Sequence, residues 1–419
     1  MKRNYYIVAL IMLTFFVISF LTNVIGPLIP DIIKGFDLSL TLVALLPSAF
    51  FIAYGVMSIP SGTLIEKYQE KKVMIAAFIV AFLGSLLLAM FPNYLTAVLS
   101  LFIIGCGMAM LQVVINPLLR TSGGEEHYAF YSIMAQLIFG LASFLSPLAY
   151  SYLATHVSGG NASGLAGIFQ SLVPEKLPWI SLYWLFAVIC LAMILVISFS
   201  RFPKVELSSE EKGGTLDIYI QLFRKRVVIS FFIAMICYVG TEQGTANWIS
   251  EFLSRYHGYD PQTSGAKAVA YFWGLMTAGG VVGLLLVKIM DSRKVLILFT
   301  LLALTSLTLA LFGSSKISLW AFPFVGFFAS VMYPIILSLG LNSVSEHHGS
   351  FAGIILTGII GGAIVPLVIG WLGDHIGLRG GMIFLYLTMG YILSIGFWSK
   401  PIITNKTIKL FDKKESAAS

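Results

Sequence analysis

The stretch YVGTEQGTANW, residues 238–248, decides how the chain must fold, because it places a glutamate inside a long apolar run. The run extends from about Val227 to Leu253 and is long enough to cross a bilayer. Glu242 follows the basic cluster at 224–226 by about 15 residues, which is about 22 Å along a helix. A charge at that depth costs at least about 2.5–3.5 kcal/mol. We therefore expect Glu242 to face a cavity or a partner inside a membrane protein.

Two glycines flank this glutamate. We expect Gly240 and Gly244 to weaken the helix, so that the backbone freed in this way lines a water-filled cavity. Under this hypothesis Glu242 marks a polar path through a membrane transporter. The alternative is a protonated carboxyl group that is hydrogen-bonded between helices and has no role in transport.

The composition of the whole chain supports a membrane location. Of the 419 residues, 58% are hydrophobic and 11% are charged, and the mean hydropathy is +0.91. Soluble domains carry about 25% charged residues, so the chain is predicted to be an integral membrane protein. Its three cysteines lie in apolar runs without metal-ligand spacing, which predicts packing roles and no metal site.

Twelve apolar spans, numbered 1–12 in chain order, predict an all-α membrane protein with two pseudo-repeat halves of six transmembrane helices. The predicted halves are 1–200 and 227–400, with a linker at 201–226 and a tail at 401–419. The predicted spans cover about 5–29, 43–65, 73–91, 94–119, 128–154, 181–200, 227–254, 266–289, 293–313, 318–341, 350–371 and 379–399.

The basic residues predict the orientation of the chain. If both termini are cytoplasmic, 20 of the 26 Lys and Arg residues lie on the cytoplasmic side and 6 lie outside. This distribution follows the positive-inside rule, which places the linker and the tail in the cytoplasm as well. It also accounts for the net charge of +7 without a nucleic-acid partner.

A weak internal repeat supports the two halves. Residues 62–67 lead to the basic pair Lys71-Lys72, and residues 283–288 lead to the pair Arg293-Lys294. In both copies a glycine precedes a lysine by five positions, on a loop between the second and third span of a half. Repeated six-helix halves with a binding site between them are a transporter architecture.

The first copy of this repeat resembles the loop motif of the major facilitator superfamily. The resemblance implies a gate at the cytoplasmic face, in which a glycine lets a neighbouring helix approach and the charged residues pair across the closed face. The gate residues would be Gly62, Glu66, Lys67 and Lys72. The alternative is that these basic residues serve the positive-inside topology alone.

Two amides in span 4 point to a substrate. Gln112 and Asn116 are four residues apart and therefore share one helix face. Amide groups both donate and accept hydrogen bonds, which suits sugar hydroxyls. Pro117 follows directly and is expected to break the helix near its cytoplasmic end.

Together with other motifs, this stretch resembles the fucose–galactose–glucose symporter family of the same superfamily. In the first half the resemblance rests on Leu111-Gln112-x3-Asn116-Pro117 and Phe51-x2-Tyr54-Gly55-x4-Pro60-x-Gly62. In the second half it rests on Tyr238-Val-Gly-x-Glu242, Tyr333-Pro334-x4-Leu339 and Gly361-Gly362-Ala-Ile-x-Pro366-x3-Gly370-x3-Asp374-x2-Gly377.

The resemblance implies a set of sugar contacts from both halves, and for several residues a structural alternative stays open. Asn23 and Gln136 could instead form hydrogen bonds between helices, and Tyr333 could be a packing residue, as we expect Trp273 to be. The implied substrate-binding residues are Asn23, Gln112, Asn116, Gln136, Glu242, Asn247, Trp248, Tyr333 and Asn342.

The chain departs from the family's fucose–proton symporters at three positions. Gly26 and Gln112 stand where those proteins carry acidic residues, and Gly280 stands where an arginine is expected. The two remaining acidic residues of the first outer region, Asp31 and Asp37, are expected to be solvated. Ion coupling is therefore expected to pass through Glu242, the one deep carboxylate that we identify.

These features predict a secondary active transporter that imports a hexose or a related monosaccharide by alternating access, coupled to H⁺ or Na⁺. We expect a monomer in the bacterial inner membrane, with a sugar and the lipid bilayer as partners and no cofactor. The main alternative is efflux of small lipophilic or cationic compounds, and a non-transporting receptor or scaffold is a further one. The chain has no nucleophile–base motif, phosphate loop or metal spacing, so we expect no enzyme activity.

Overall fold

A computed structural model describes residues 4–158, 165–203, 216–344 and 346–402. Eleven of its helical segments are long and apolar enough to cross a membrane, and a shorter apolar helix, Phe384–Trp398, follows them. These segments correspond to the twelve predicted spans. Most of the predicted tail and the middle of the predicted linker lie outside the described residues.

In the first half, span 1 is formed by Tyr5–Thr22 and Ile25–Phe36, and the other spans are single helices. Spans 2 to 6 are Leu40–Tyr68, Glu70–Met90, Tyr94–Gly123, Tyr128–Ser158 and Ser181–Phe199. A short helix, Leu165–Gln170, lies in the outer loop before span 6. Pro117 lies inside span 4, so the predicted helix break at this position is wrong.

In the second half, a short linker helix, Leu216–Phe223, precedes span 7 and packs against spans 7 and 11. Spans 7 to 9 are Arg226–His257, Ala266–Ile289 and Ser292–Phe312. Span 10 is divided into Ser315–Ala329 and Met332–Leu341, and span 11 into His348–Thr357 and Gly361–Met382. Span 12 is Phe384–Trp398.

The two copies of the internal repeat make corresponding contacts. The ammonium group of Lys71 donates to the carbonyl oxygens of Ser198 and Ser200, at 2.7 and 2.8 Å, where span 6 ends. In the second half the guanidinium group of Arg293 lies 3.5 Å from the carbonyl oxygen of Ser399, where span 12 ends. A cation stabilises the unpaired carbonyl groups of a helix C-terminus. Each basic residue therefore ties its loop to the last span of its own half.

The halves meet at the predicted outer face and in the middle of the membrane. At the outer end of span 11, the carboxylate of Asp374 accepts the backbone N–H groups of Leu40 and Thr41, at 2.8 and 2.9 Å. Farther in, the hydroxyl group of Ser48 donates to the carbonyl oxygen of Ala363 at 2.7 Å. These bonds close the interface between spans 2 and 11 on the outer side.

Toward the predicted cytoplasmic face, three glycines of spans 2 and 8 border open space. A Cβ atom added at Gly55, Gly62 or Gly280 would meet no atom beyond its own helical neighbourhood within 4 Å. The hydrogen bonds between spans 2 and 11 therefore lie on the predicted outer side, and the open space at these glycines lies toward the side of the termini. With the predicted orientation this is an inward-facing arrangement.

The two glycines beside Glu242 do not free the backbone of span 7, and our expectation that they do so is wrong. The helix runs unbroken from Arg226 to His257. A Cβ atom at Gly240 would overlap the side chain of Val365, and one at Gly244 would lie 3.0 Å from the side chain of Ile369. Both glycines instead let span 7 pack closely against span 11.

Candidate functional site

Glu242 lies near the middle of span 7 and is partly exposed, although the neighbouring helix surface is buried. Its carboxylate accepts a hydrogen bond of 3.1 Å from the side-chain amide of Gln243 and another from the hydroxyl group of Tyr238. Both donors are neutral. A carboxylate held at this depth by neutral donors can exchange a proton or bind a cation when the cleft opens to water.

Tyrosines from both halves continue this polar cluster across the cleft. The rings of Tyr238 and Tyr333 lie 5.8 Å apart, and the hydroxyl group of Tyr333 is close enough to Glu242 to interact electrostatically. The hydroxyl group of Tyr54, in span 2 of the first half, interacts with Tyr333 in the same way. The series Glu242, Tyr333 and Tyr54 thus connects the two halves in the middle of the membrane.

Tyr54 is a site residue that our sequence analysis did not identify. It belongs to the stretch that resembles the symporter family, but tyrosine is common in membrane helices and nothing local distinguishes it. Its ring packs 6.1 Å from that of Phe50, which directs it toward the cleft. Only the packing of span 2 against the second half brings it near Tyr333.

Three amides of the first half are exposed to different degrees in the same part of the membrane. Asn116 and Gln136 are exposed, and Gln112 is partly exposed. The side-chain amide of Asn116 lies 3.4 Å from the backbone oxygen of Gln112. The side-chain oxygen of Gln112 is buried and has no hydrogen-bond partner among the described residues. These groups can accept and donate hydrogen bonds to a polar molecule in the cleft.

Asn23 occupies the break between the two helical pieces of span 1 and is buried. Its amide donates to the hydroxyl group of Ser143 in span 5 at 2.9 Å and lies 3.4 Å from that of Ser19. This is the interhelical hydrogen bond that the sequence left open as an alternative. A sugar contact by Asn23 stays a prediction.

The residues that follow Glu242 along span 7 face away from the cleft in this conformation. Trp248 is fully buried, and its indole N–H donates to the carbonyl oxygen of Pro366 at 3.3 Å. Asn247 is buried as well, and its amide nitrogen has no partner among the described residues. Trp273 is also buried, as its expected packing role requires. Stacking of a sugar on Trp248 stays a prediction, and it needs a rearrangement of spans 7 and 11.

The remaining predicted residues lie near the predicted cytoplasmic face. Asn342 ends span 10, and its backbone carbonyl oxygen accepts the N–H of Ile402 at 2.7 Å. A sugar contact by its side chain stays a prediction. Of the predicted gate, Lys67 and Lys72 are exposed and Gly62 borders open space. The side chain of Glu66 lies outside the described part of the chain.

The departures at Gly26 and Gly280 have different structural settings. A Cβ atom at Gly26 would overlap the carbonyl oxygen of Ala246 in span 7, so a larger side chain does not fit this arrangement. A Cβ atom at Gly280 would enter open space. The absence of an acidic residue at position 26 thus allows spans 1 and 7 to pack closely.

One expectation about the outer region is wrong. Asp31 is buried rather than solvated, because it lies within span 1, where it accepts hydrogen bonds from Tyr150 and Gln262 at 2.7 and 3.0 Å. Asp37, which follows the end of span 1, is exposed as expected. Span 1 therefore also carries a buried carboxyl group, nearer to the predicted outer face than Glu242.

Comparison with known sequences agrees with this architecture. Residues 11–366 match the model of the Major Facilitator Superfamily. A glucose/galactose transporter of Brucella abortus is 27% identical over 410 residues, which cover 94% of each chain. The L-fucose-proton symporter of Escherichia coli is 28% identical over 396 residues, which cover 90% of this chain and 89% of that protein.

Solved structures share the fold. The fucose:proton symporter of Escherichia coli in its outward conformation superposes with a TM-score of 0.65 at 23% identity, covering 94% of this chain and 98% of that chain. A bacterial homologue of the human lysosomal transporter Spinster, inward-facing and occupied, gives a TM-score of 0.80 at 13% identity, covering 95% and 97%. These superpositions confirm the predicted fold of two six-helix halves.

Proposed function

This chain belongs to the Major Facilitator Superfamily, and on that premise we propose that it imports a monosaccharide by alternating access. It is a multi-pass membrane transporter and not an enzyme. The observation that carries the proposal is the partly exposed Glu242, which shares an open cleft with Tyr333 and with Tyr54 of the opposite half. A polar site at the interface of two halves is where a rocking transporter binds its substrate.

A sugar is the substrate class that suits the cleft. The exposed amides Asn116 and Gln136 and the tyrosine hydroxyl groups offer many neutral donors and acceptors, as sugar hydroxyls require. Relatives that align over most of this chain are named as a glucose/galactose transporter and an L-fucose-proton symporter. We extend their substrate class, a monosaccharide, to this chain.

Coupling to an ion forms the second part of the proposal. Glu242 would bind H⁺ or Na⁺ and link its occupancy to that of the sugar, because the neutral donors Gln243 and Tyr238 leave its charge uncompensated. The asymmetry of the basic residues supports a location in the bacterial inner membrane with both termini in the cytoplasm. The transporter would act as a monomer, because each chain holds both halves of the cleft.

Efflux of small lipophilic cations is the second candidate. The observation that favours it is the acid itself, since Glu242 is bordered by the aromatic rings of Tyr238 and Tyr333. Aromatic faces and a carboxylate together attract organic cations. The exposed amides favour the sugar.

Counterflow in proteoliposomes separates the two candidates. Vesicles are loaded with glucose, galactose, fucose, mannose or N-acetylglucosamine in turn, and the entry of the same labelled sugar is followed without an ion gradient. Exchange of one sugar supports a sugar carrier. The sugar carrier would be overturned if folded protein exchanged none of these sugars but did exchange a lipophilic cation.

A further inference from the structure

Two carboxylates at the outer face, one in each half, accept hydrogen bonds from the opposite half. Asp31 in span 1 accepts the side-chain amide of Gln262, in the turn that begins span 8, at 3.0 Å. Asp374 in span 11 accepts the backbone N–H groups of Leu40 and Thr41, and the Thr41 hydroxyl group, at the start of span 2. Each half thus supplies one of the two carboxylates. The Asp31 bond joins span 1 to the start of span 8, and the Asp374 bonds join span 11 to the start of span 2.

The Asp31 carboxyl group is buried, and Gln262 is partly buried. Tyr150, in span 5 of the same half, is fully buried and donates to the Asp31 carboxylate at 2.7 Å. Lys34 and Asp260 are the charged groups that interact with Asp31 electrostatically. When the halves separate, Tyr150 moves with Asp31, whereas Gln262 leaves with the second half. The link between the halves at this point therefore depends on Gln262.

The tie at Asp374 is of a different kind. The side chain of Asp374 is exposed, and it binds the first turn of span 2, where backbone N–H groups have no partner within the helix. The positive end of the helix dipole attracts the carboxylate. Water competes for exposed hydrogen bonds and ions screen exposed charges, which weakens the bonds to Thr41 relative to a bond at a buried carboxyl group.

Close backbone packing accompanies both ties. A Cβ atom at Gly370 would lie 2.6 Å from the carbonyl oxygen of Leu40, beside the Asp374 tie. A Cβ atom at Gly26 would overlap the carbonyl oxygen of Ala246, on the span that carries Asp31. The outer end of the cleft cannot open unless both hydrogen-bonded ties break.

We propose that Asp31–Gln262 and Asp374–Leu40/Thr41 form a double latch that holds the extracellular face closed, with the Asp31–Gln262 tie, made at a buried carboxyl group, as the dominant part. The latch controls the step in which the empty or loaded carrier turns outward. This inference rests on the proposed alternating-access function and orientation. It assigns a role to residues that do not contact the site around Glu242.

The distance between the two halves at the outer face tests the latch directly. Leu95→Cys and Lys316→Cys, in exposed positions at the outer ends of spans 4 and 10, receive spin labels for electron–electron distance measurement in lipid nanodiscs. The native cysteines at 106, 190 and 237 are first replaced by alanine. The ratio of open to closed distances is then compared among variants without any substrate.

We expect Gln262→Ala to raise the open-to-closed ratio about tenfold, because a hydrogen bond to a charged acceptor contributes on that order. Gln262→Glu is expected to raise it further, since two carboxylates would then face each other. Asp374→Asn should raise it less. Gln170→Ala, in the outer loop of the first half, is the matched control and should leave it unchanged.

An unchanged distance distribution in both Gln262 variants, from protein that elutes as a folded species, would overturn the latch. An Asp374→Asn effect equal to or larger than that of Gln262→Ala would overturn the dominance of the Asp31–Gln262 tie. The measurement needs no sugar, so its outcome does not depend on whether the proposed substrate is correct. If counterflow is silent across the sugar panel while Gln262→Ala still opens the outer face, the latch stands and the substrate is rejected.

Discussion

The side-chain amide of Gln243 donates a hydrogen bond of 3.1 Å to the carboxylate of Glu242, its neighbour in the same helix. Adjacent residues on a helix point about 100° apart, so this bond holds the glutamate toward one side of the cleft. Gln243 is buried and Glu242 is partly exposed. The amide therefore anchors a carboxylate whose other side is open to a substrate or an ion.

Glu242→Gln is expected to abolish ion-driven accumulation while sugar exchange continues. Glutamine keeps the size and the hydrogen-bonding capacity of the side chain but cannot take up or release a proton at neutral pH. In proteoliposomes with a pH or Na⁺ gradient, the ratio of the sugar concentration inside to that outside should fall to about 1. Counterflow should persist. Concentrative uptake equal to that of the native protein would rule out the coupling role of Glu242.

Tyr333→Phe and Tyr54→Phe should each weaken sugar binding about 3- to 10-fold, because one hydrogen bond contributes about 0.5–1.5 kcal/mol. The rings and their packing remain in these variants. The measurement is the half-saturation concentration in counterflow. Tyr386→Phe is the control, since its hydroxyl group pairs with Thr308 between spans 9 and 12. Equal values for all three variants would show that the two phenol groups do not contact the sugar.

Lys71→Ala should destabilise the protein by about 1 kcal/mol, because it leaves two carbonyl groups at the end of span 6 without their cation. Arg293→Ala should act in the same direction but less, since its bond to Ser399 is longer. The exposed neighbours Lys72 and Lys294 provide matched controls in each half. The midpoint of thermal unfolding in detergent measures the effect, and equal losses in the neighbouring variants would contradict it.

Gly26→Ala is expected to disfavour the inward-facing state, because the new methyl group would overlap the carbonyl oxygen of Ala246. Overpacking of this kind costs about 1–3 kcal/mol. The labelled pair at the outer face should show a larger open fraction. Gly280→Ala, whose methyl group would enter open space, should behave like the parent protein. A closed population that is unchanged in Gly26→Ala would mean that span 1 adjusts to the methyl group.

Family resemblance and side-chain chemistry in the sequence identified part of the candidate site. Glu242, Gln112, Asn116 and Gln136 could be selected because polar groups within apolar spans are costly and therefore informative. Tyr54 could not be selected, since a tyrosine in such a span is not costly in the same way. Asn23 fits two roles equally well in the sequence, and its partner Ser143 is 120 residues away.

The twelve spans and the distribution of basic residues followed from the sequence by itself. Hydrophobic length and loop charge are local properties of the chain, and they determine directly which segments insert into a bilayer and in which orientation. The tertiary structure decided which surfaces of those spans meet. Gly240 and Gly244 pack against span 11 instead of opening their helix, and Asp31 is buried instead of solvated. The physical reason is that close packing and long-range hydrogen bonds depend on residues far apart in the chain, and the pattern along one helix does not specify its neighbour.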